Sequence, residues 1–411
     1  MTRQERLGWV ATAVGLFAIA AATLTPLPLN EYRAADTPFW CLVCGSLGLI
    51  DVVLNVALFL PLGVGLERLG WSVPRLAMAS FLVSFGVESL QIITIAGRDA
   101  SLSDLITNTS GGMLGGFLAH HWRVLVTPSP RVASRLLLAG MMLVLGGFLT
   151  TATLLQPDLP AGPWFGIVTP DWPGHAAFGG TVLEARVGNQ EISRDPLPAV
   201  EYRMALLSGA PILGRFIADR GTPSGSAPIA ALTSSDNRSL ALLAQRGRDV
   251  IVGVRLKASA WRLRSPRIRL SHAIPTSQGD TVVAWGGLDG GQLYAGALVN
   301  ERWRGRRLAL STSLGWALLL PFGWGLGAEA RVINGLWVVA LIFPLAYWAV
   351  LSRRRSALLW VGILIPIALV SLPEAFGQRV GDWSDWLASG LAITLGMMAA
   401  NYARMKPSGP E

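Results

Sequence analysis

Asn55, Glu88, Gln91, Arg98, Asp104 and Asn108 stand between residues 51 and 116, in runs that are otherwise apolar. A carboxyl group held away from water can serve as a general acid or base. A guanidinium can clamp an anion through two parallel hydrogen bonds, and carboxamides can orient a polar ligand. An ionisable group inside a membrane span costs about 2.5–3.5 kcal/mol on insertion scales, so several in three consecutive spans mark a site. Helical spacing brings them together: Glu88 and Gln91 lie three residues apart, Asp104 and Asn108 four, and Asp51 and Asn55 four. Gly111, Gly112, Gly115 and Gly116 let the segment that carries Asp104 pack closely against its neighbours. The six residues are therefore the candidate lining of one ligand-binding pocket. The same residues also admit a structural reading, in which Arg98 pairs with Glu88 or Asp104 and the amides bridge helices. Interhelical hydrogen bonds of that kind contribute about 0.6 kcal/mol on average, a small return for inserting charge.

Catalysis is left open by the residue types. No nucleophile stands beside a base, and His120, His121, His175 and His272 form no ligand motif. No glycine-rich phosphate loop and no HExxH are present. No metal and no cofactor is expected, and no nucleic-acid partner.

The elements that would position these residues follow from composition. Of the 411 residues, 52% are hydrophobic and only 14% charged, whereas about 25% charged is usual for soluble domains. The expected fold class is an α-helical polytopic membrane protein of nine transmembrane segments with an extracytoplasmic all-β sandwich or jelly roll. Spans are expected at 8–26, 50–66, 75–95, 102–120, 136–155, 308–326, 332–351, 356–373 and 384–402. The first is read as a retained helix, since its apolar run exceeds that of a secretory signal. The domains are then 1–126, four spans; 127–156, the fifth span; 157–306, the β domain; 307–403, the C-terminal transmembrane region; and 404–411, a tail. Arg3, Arg6, Arg68, Arg75, Arg123, Arg131 and Arg135 orient the first five spans with the N-terminus inside and 157–306 outside. Continuing that count puts Arg353, Arg354 and Arg355 outside, against the rule. Cys41 and Cys44 are either a disulfide or two idle thiols, since no second ligand pair accompanies them.

Between 157 and 306, short alternating stretches separated by TPSGS, SSDN, RGR and GLDGG read as strands, with no helix signal. SLALLAQ-RGR-DVIVGV and TVVAWGGLDGGQLYAGALV read as hairpins. This pattern resembles laminin G and concanavalin A-like lectin domains. Arg262, Arg264, Arg267 and Arg269 form one basic cluster and ERWRGRR, residues 301–307, another. These could attract anionic lipid or wall polymer, or simply be a solvated edge and a juxtamembrane anchor.

An internal repeat is also legible. LNVALFLPLGVGL at 54–66 and LGWALLLPFGWGL at 314–326 agree at eight of thirteen positions. Ser103, Asp104 and Arg98 recur as Ser384, Asp385 and Arg379, and Glu88 and Gln91 have counterparts in Glu374 and Gln378. Asn55 and Asn108 become Gly315 and Ser389, so the second copy is degenerate. One hydrophobic segment more lies between Pro321 and Glu374 than between Pro61 and Glu88.

Asn55, Phe59, Pro61, Gly63, Glu88, Gln91, Arg98, Asp104, Asn108 and Gly111 or Gly112 resemble the pattern of the VanZ-like family of integral membrane proteins. The family is named for an accessory glycopeptide (teicoplanin) resistance protein, and the resemblance implies no established reaction. With the orientation above, Asn55, Arg98, Asp104 and Asn108 fall near the outer leaflet, and the expected function is that of an envelope protein at the cell membrane that binds a polar or lipid-linked ligand in a pocket there. Its partners would be membrane lipids and a lipid-linked cell-wall precursor or carbohydrate. The alternatives are a membrane enzyme acting on such a precursor, with Glu88 or Asp104 as acid or base, and a scaffold for the lectin-like domain.

Overall fold

The structure is a computed structural model, which describes residues 1–25, 40–43, 45, 47–94, 101–168, 176–193, 196–218, 225–275, 279–321 and 325–405. The chain divides into two compact units, Met1–Pro128 and Ser129–Glu411.

The first unit holds α1 (Arg3–Thr23), α2 (Gly48–Arg68), α3 (Val73–Thr94), α4 (Leu102–His120) and the short α5 (Trp122–Val126). α1 begins in a capping box, with Thr2 accepting from the Glu5 backbone N–H and Glu5 accepting in return from Thr2. Ser101 caps α4 by accepting from the Asp104 N–H. Ile19, Phe59, Leu62, Leu66, Leu76 and Val87 form the apolar core, while the outward faces of α1 and α3 expose Phe17, Leu82, Phe85 and Ile93. That inversion of the soluble pattern suits an apolar solvent. Glycine sets the closest approach. A β-carbon at Gly63 would stand 1.9 Å from the Gly112 carbonyl oxygen, and at Gly115 it would stand 2.2 Å from that of Leu60. Pro61 lies inside α2 without ending it. Cys41, in the stretch before α2, is disulfide-bonded; Cys44 lies outside the described residues.

In the second unit, α6 (Pro130–Leu154) leads into the β domain, whose only α-helix among the described residues is α7 (Ala199–Leu207). The chain returns through α8 (Glu329–Leu351), α9 (Ala357–Pro366), a π-helical turn (Ile367–Ser371), α10 (Leu372–Ala375) and α11 (Trp383–Met405). Val144, Phe148, Ile342, Leu345, Val361, Leu364, Leu369 and Ala392 are among the residues of its helical core. Among the described residues, six helical segments are long and apolar enough to cross a membrane: α1, α2, α3, α6, α8 and the stretch Ala357–Ala375. α4 and α11 are helices of comparable length, but more polar.

The expected span at 308–326 does not form. Residues Thr312–Leu319 are a 3-10 helix, and the carbonyls that a longer helix would use point elsewhere. Leu318 and Leu326 accept from the backbone N–H groups of Arg264 and Arg269, and the Arg264 side chain donates to Leu320 and Pro321. Hydrophobicity suggested a helix here, but tertiary hydrogen bonds to the β domain claimed the backbone instead.

The β domain comprises β1 (Trp164–Val168), β2 (Thr181–Val187), β3 (Gln190–Glu191), β4 (Pro196–Leu197), β5 (Ile212–Ile217) and β6 (Ala227–Ser234). β7 (Ser239–Arg246), β8 (Asp249–Val254), β9 (Ile268–Leu270), β10 (Thr281–Asp289), β11 (Gln292–Val299) and β12 (Arg302–Ala309) follow. They build two antiparallel sheets, ordered β4-β1-β6-β7-β8-β9 and β12-β11-β10-β5-β2-β3. Both expected hairpins form. β7 turns into β8 at Gly247, and β10 into β11 over Gly290 and Gly291, where both φ angles are positive. The sheets meet face to face: Gly214 lies under Leu243 and Ile229, and Gly286 under Val252. α7 was not expected; its buried Tyr202 and Leu206, four residues apart, dock it on the sandwich.

The tight passage at Gly63 yields a prediction. Gly63→Val should destabilise the purified chain by about 1–3 kcal/mol through overpacking, seen as a lower temperature of thermal unfolding. Gly146→Ala on α6, where a β-carbon meets nothing within 4 Å, should leave it unchanged or raised.

Candidate functional site

Within the first unit, a hydrogen-bonded chain runs through α2, α3 and α4. The Asn55 amide donates to the Asp104 carboxylate at 2.6 Å. Ser84 on α3 donates to the Asp104 backbone carbonyl at 3.5 Å and accepts from the Asn108 amide at 3.0 Å. The Glu88 carboxylate accepts from the Ser101 backbone N–H at 3.2 Å, at the start of α4. Asn55, Glu88, Asp104 and Asn108 thus converge as the spacing predicted. Gln91 faces the same way but ties α3 to α1, donating to the Thr23 carbonyl at 3.0 Å. Arg98 lies outside the described residues.

Glu88, Gln91, Asn108, Ser80 and Ser84 are all buried, the two serines completely. Sequence reasoning missed Ser80 and Ser84, although Ser80, Ser84 and Glu88 recur every fourth residue along one face of α3. Serine suits the place because α3 and α4 are too close for more. A β-carbon on Gly112 would meet the Ser80 hydroxyl at 2.0 Å. Two polar atoms stay unsatisfied here, the Ser80 hydroxyl and the Asn108 carbonyl oxygen. An unsatisfied buried group costs about 1–3 kcal/mol, so the Asn108 oxygen is an acceptor that a ligand donor or water could use.

The second unit has contacts that can be compared with these. Gln378 donates to the Ala152 carbonyl near the end of α6, as Gln91 does to Thr23 near the end of α1. A β-carbon on Gly396 of α11 would meet the Phe343 carbonyl oxygen of α8 at 2.8 Å, as one on Gly115 meets that of Leu60. Asp385, 1% exposed, accepts from the Ser313 hydroxyl at 2.9 Å and from the Asp382 N–H at 3.1 Å. Its other oxygen has no hydrogen-bond partner. α11 thus packs on α8 through Gly396, as α4 packs on α2 through Gly115. In sequence, VALFLPLG at 56–63 then faces VALIFPLA at 339–346, identical at five of eight positions with Pro61 over Pro344. Asn55 falls opposite Val338, and Ser313, from the 3-10 segment beyond the β domain, bonds Asp385 where Asn55 bonds Asp104. Glu374 is exposed, unlike Glu88.

The basic cluster of the β domain is largely committed to structure. Arg264 caps the carbonyls of Leu320 and Pro321, and Arg269 pairs with Glu329 at 2.8 Å. Arg267 lies against Gly253, and burial lowers the pKa of its guanidinium. Arg262 remains exposed.

Six apolar helices and a two-sheet β region define a multi-pass membrane protein with a β domain. Residues 13–124 match the sequence model of the VanZ/LLP1 family, a stretch that takes in the whole hydrogen-bonded chain of the first unit. No curated protein and no solved structure matches the chain.

The two halves predict unequal sensitivity. Glu88→Leu strips the Ser101 N–H of its acceptor and should cost about 1–3 kcal/mol of stability. Glu374→Leu, on an exposed side chain, should stay within about 0.5 kcal/mol. Thermal unfolding in one detergent measures both; equal losses would deny the two glutamates different roles.

Proposed function

We propose that the first unit is a binding site, near the outer leaflet, for the polar head group of an envelope lipid or lipid-linked precursor. The observation that carries this reading is the partly buried chain Asn55–Asp104–Ser84–Asn108, with Glu88 beside it and an unsatisfied acceptor on the buried Asn108. A purely structural network gains little by leaving such an acceptor unsatisfied in an apolar setting. Arg98, four residues before the start of α4 in sequence, supplies the cation for an anionic head group, and its planar fork suits phosphate or carboxylate. Lipid-soluble glycopeptides present comparable polar groups, which links the reading to glycopeptide resistance.

The second unit is then a degenerate VanZ-like copy, with the β domain inserted where the first copy has the α1–α2 connection. The parallel contacts of Gln378 with Gln91 and of Gly396 with Gly115 support this. Pairing α8 with α2 also accounts for the surplus hydrophobic segment, because 308–326 is not a span. Four membrane crossings in each copy put the N-terminus and the loop between the copies on the same side. The β domain stays outside, and Arg353, Arg354 and Arg355 return to the cytoplasmic side, in keeping with the positive-inside rule.

Two experiments test these points. Chain purified gently in nanodiscs should retain a specific polar lipid, identified by mass spectrometry, and Arg98→Lys should reduce its occupancy about tenfold without loss of folded protein. Retention that is equal in wild type and variant would discard the site. For the topology, Ser235→Cys and Arg354→Cys are placed singly in a background lacking Cys41 and Cys44. The first should react with an impermeant maleimide in intact cells, and the second only after permeabilisation; labelling of both in intact cells would restore the nine-span count.

A further inference from the structure

The sandwich core lies between the sheets, so every second residue of β10, β11 and β12 points away from it. Val282, Ala284, Leu293, Ala295 and Ala297 face inward and are buried. Trp285, Gly296 and Gly305 are in register across the three strands and share the outer face, joined there by Trp303. The two indoles lie flat. A β-carbon on Gly296 would come within 2.5 Å of the Trp285 ring, and one on Gly305 within 2.3 Å of the Trp303 ring. Neighbouring strands are about 4.8 Å apart, so the rings sit side by side on a floor of glycine backbone. Glycine inside a strand costs about 0.5–1 kcal/mol relative to alanine and often marks a place of close approach. Trp303 is nonetheless 67% exposed, so one face of its ring is open to solvent. On the same side stand Arg307, two residues past Gly305, and Arg215, in register with Val283. Both are exposed, and neither makes an ion pair among the described residues. The arginines of β12's inner face are differently placed: Arg304 donates to the His272 carbonyl at 2.8 Å.

We propose that this outer sheet face binds an anionic polysaccharide. A pyranose ring presents a flat face of C–H groups that stacks on an open indole, and the guanidinium forks of Arg307 and Arg215 take carboxylate, phosphate or sulfate on the same chain. The geometry favours a glycan over a bilayer. Interfacial tryptophans insert an amphipathic ring into the headgroup layer, whereas rings laid back on glycine offer area without a wedge. The site is independent of the head-group reading for the first unit, because it uses none of its residues.

The test uses the full chain in zwitterionic nanodiscs, titrated calorimetrically with oligogalacturonate, its methyl ester, dextran sulfate and linear polyphosphate. An anionic glycan should bind, and Trp303→Ala should weaken it about tenfold or more, while Trp303→Phe loses much less. Gly305→Val, which lifts the ring off the strand, should weaken binding comparably. Arg307→Gln should reduce affinity and flatten its salt dependence, and the methyl ester should bind more weakly than the acid. The thermal unfolding temperatures of the Trp303 and Arg307 variants should match that of wild type, since both side chains are exposed. The proposal is overturned if neither oligogalacturonate nor dextran sulfate binds, or if their affinity ignores Trp303→Ala. Polyphosphate binding as tightly as the glycans would reduce the face to a charge patch. Trp303-dependent adsorption to anionic vesicles without glycan binding would make it a membrane-facing surface.

Discussion

The helices α2 and α4 approach until no β-carbon fits at Gly63, Gly111 or Gly115. In an apolar solvent no hydrophobic force drives helices together, so close backbone contact supplies the van der Waals attraction in its place. The same approach brings the Asn55 amide within 2.6 Å of Asp104 and draws α3 in through Ser84. Wider spacing would leave the carboxylate, the two asparagines and the serines stranded in hydrocarbon, where each unsatisfied group costs several kcal/mol. Packing and polar chemistry in the first unit therefore depend on the same few glycines.

The second unit packs its own helices closely through α8 and α11. There a β-carbon on Gly396 would meet the Ala346 β-carbon and the Phe343 carbonyl oxygen at 2.8 Å. The buried Asp385 draws a hydrogen bond from Ser313, at the exit of the β domain. That serine is held by a 3-10 segment whose carbonyls are tied to Arg264 and to the backbone N–H groups of Arg264 and Arg269. The helices and sandwich of this unit are accordingly connected by backbone hydrogen bonds as well as by the covalent chain.

Much of this was legible in the residues themselves. Hydrophobic runs and their length announced the spans, and alternation with glycine-rich turns announced the two hairpins. Spacing of three and four announced that Glu88, Gln91, Asp104 and Asn108 would share helix faces. Those features are local: they follow from helical and strand periods, and from turn conformations that only glycine adopts without strain. The serine stripe of α3 was equally local but passed unread, because serine is common enough in apolar helices to attract no notice.

Tertiary structure alone decided the remainder. The apolar stretch 308–326 matched 54–66 better in sequence than α8 does, yet its carbonyls were claimed by the neighbouring loop, and a backbone already bonded elsewhere cannot form a helix. Burial separated Glu88 from Glu374, and Asp385 from a surface carboxylate, which no pattern of residue types could do. The arginines of 262–269 looked alike in sequence and proved to have different tasks. Which of two similar side chains is held, buried or left open depends on partners distant along the chain, and only the assembled fold brings those partners within reach.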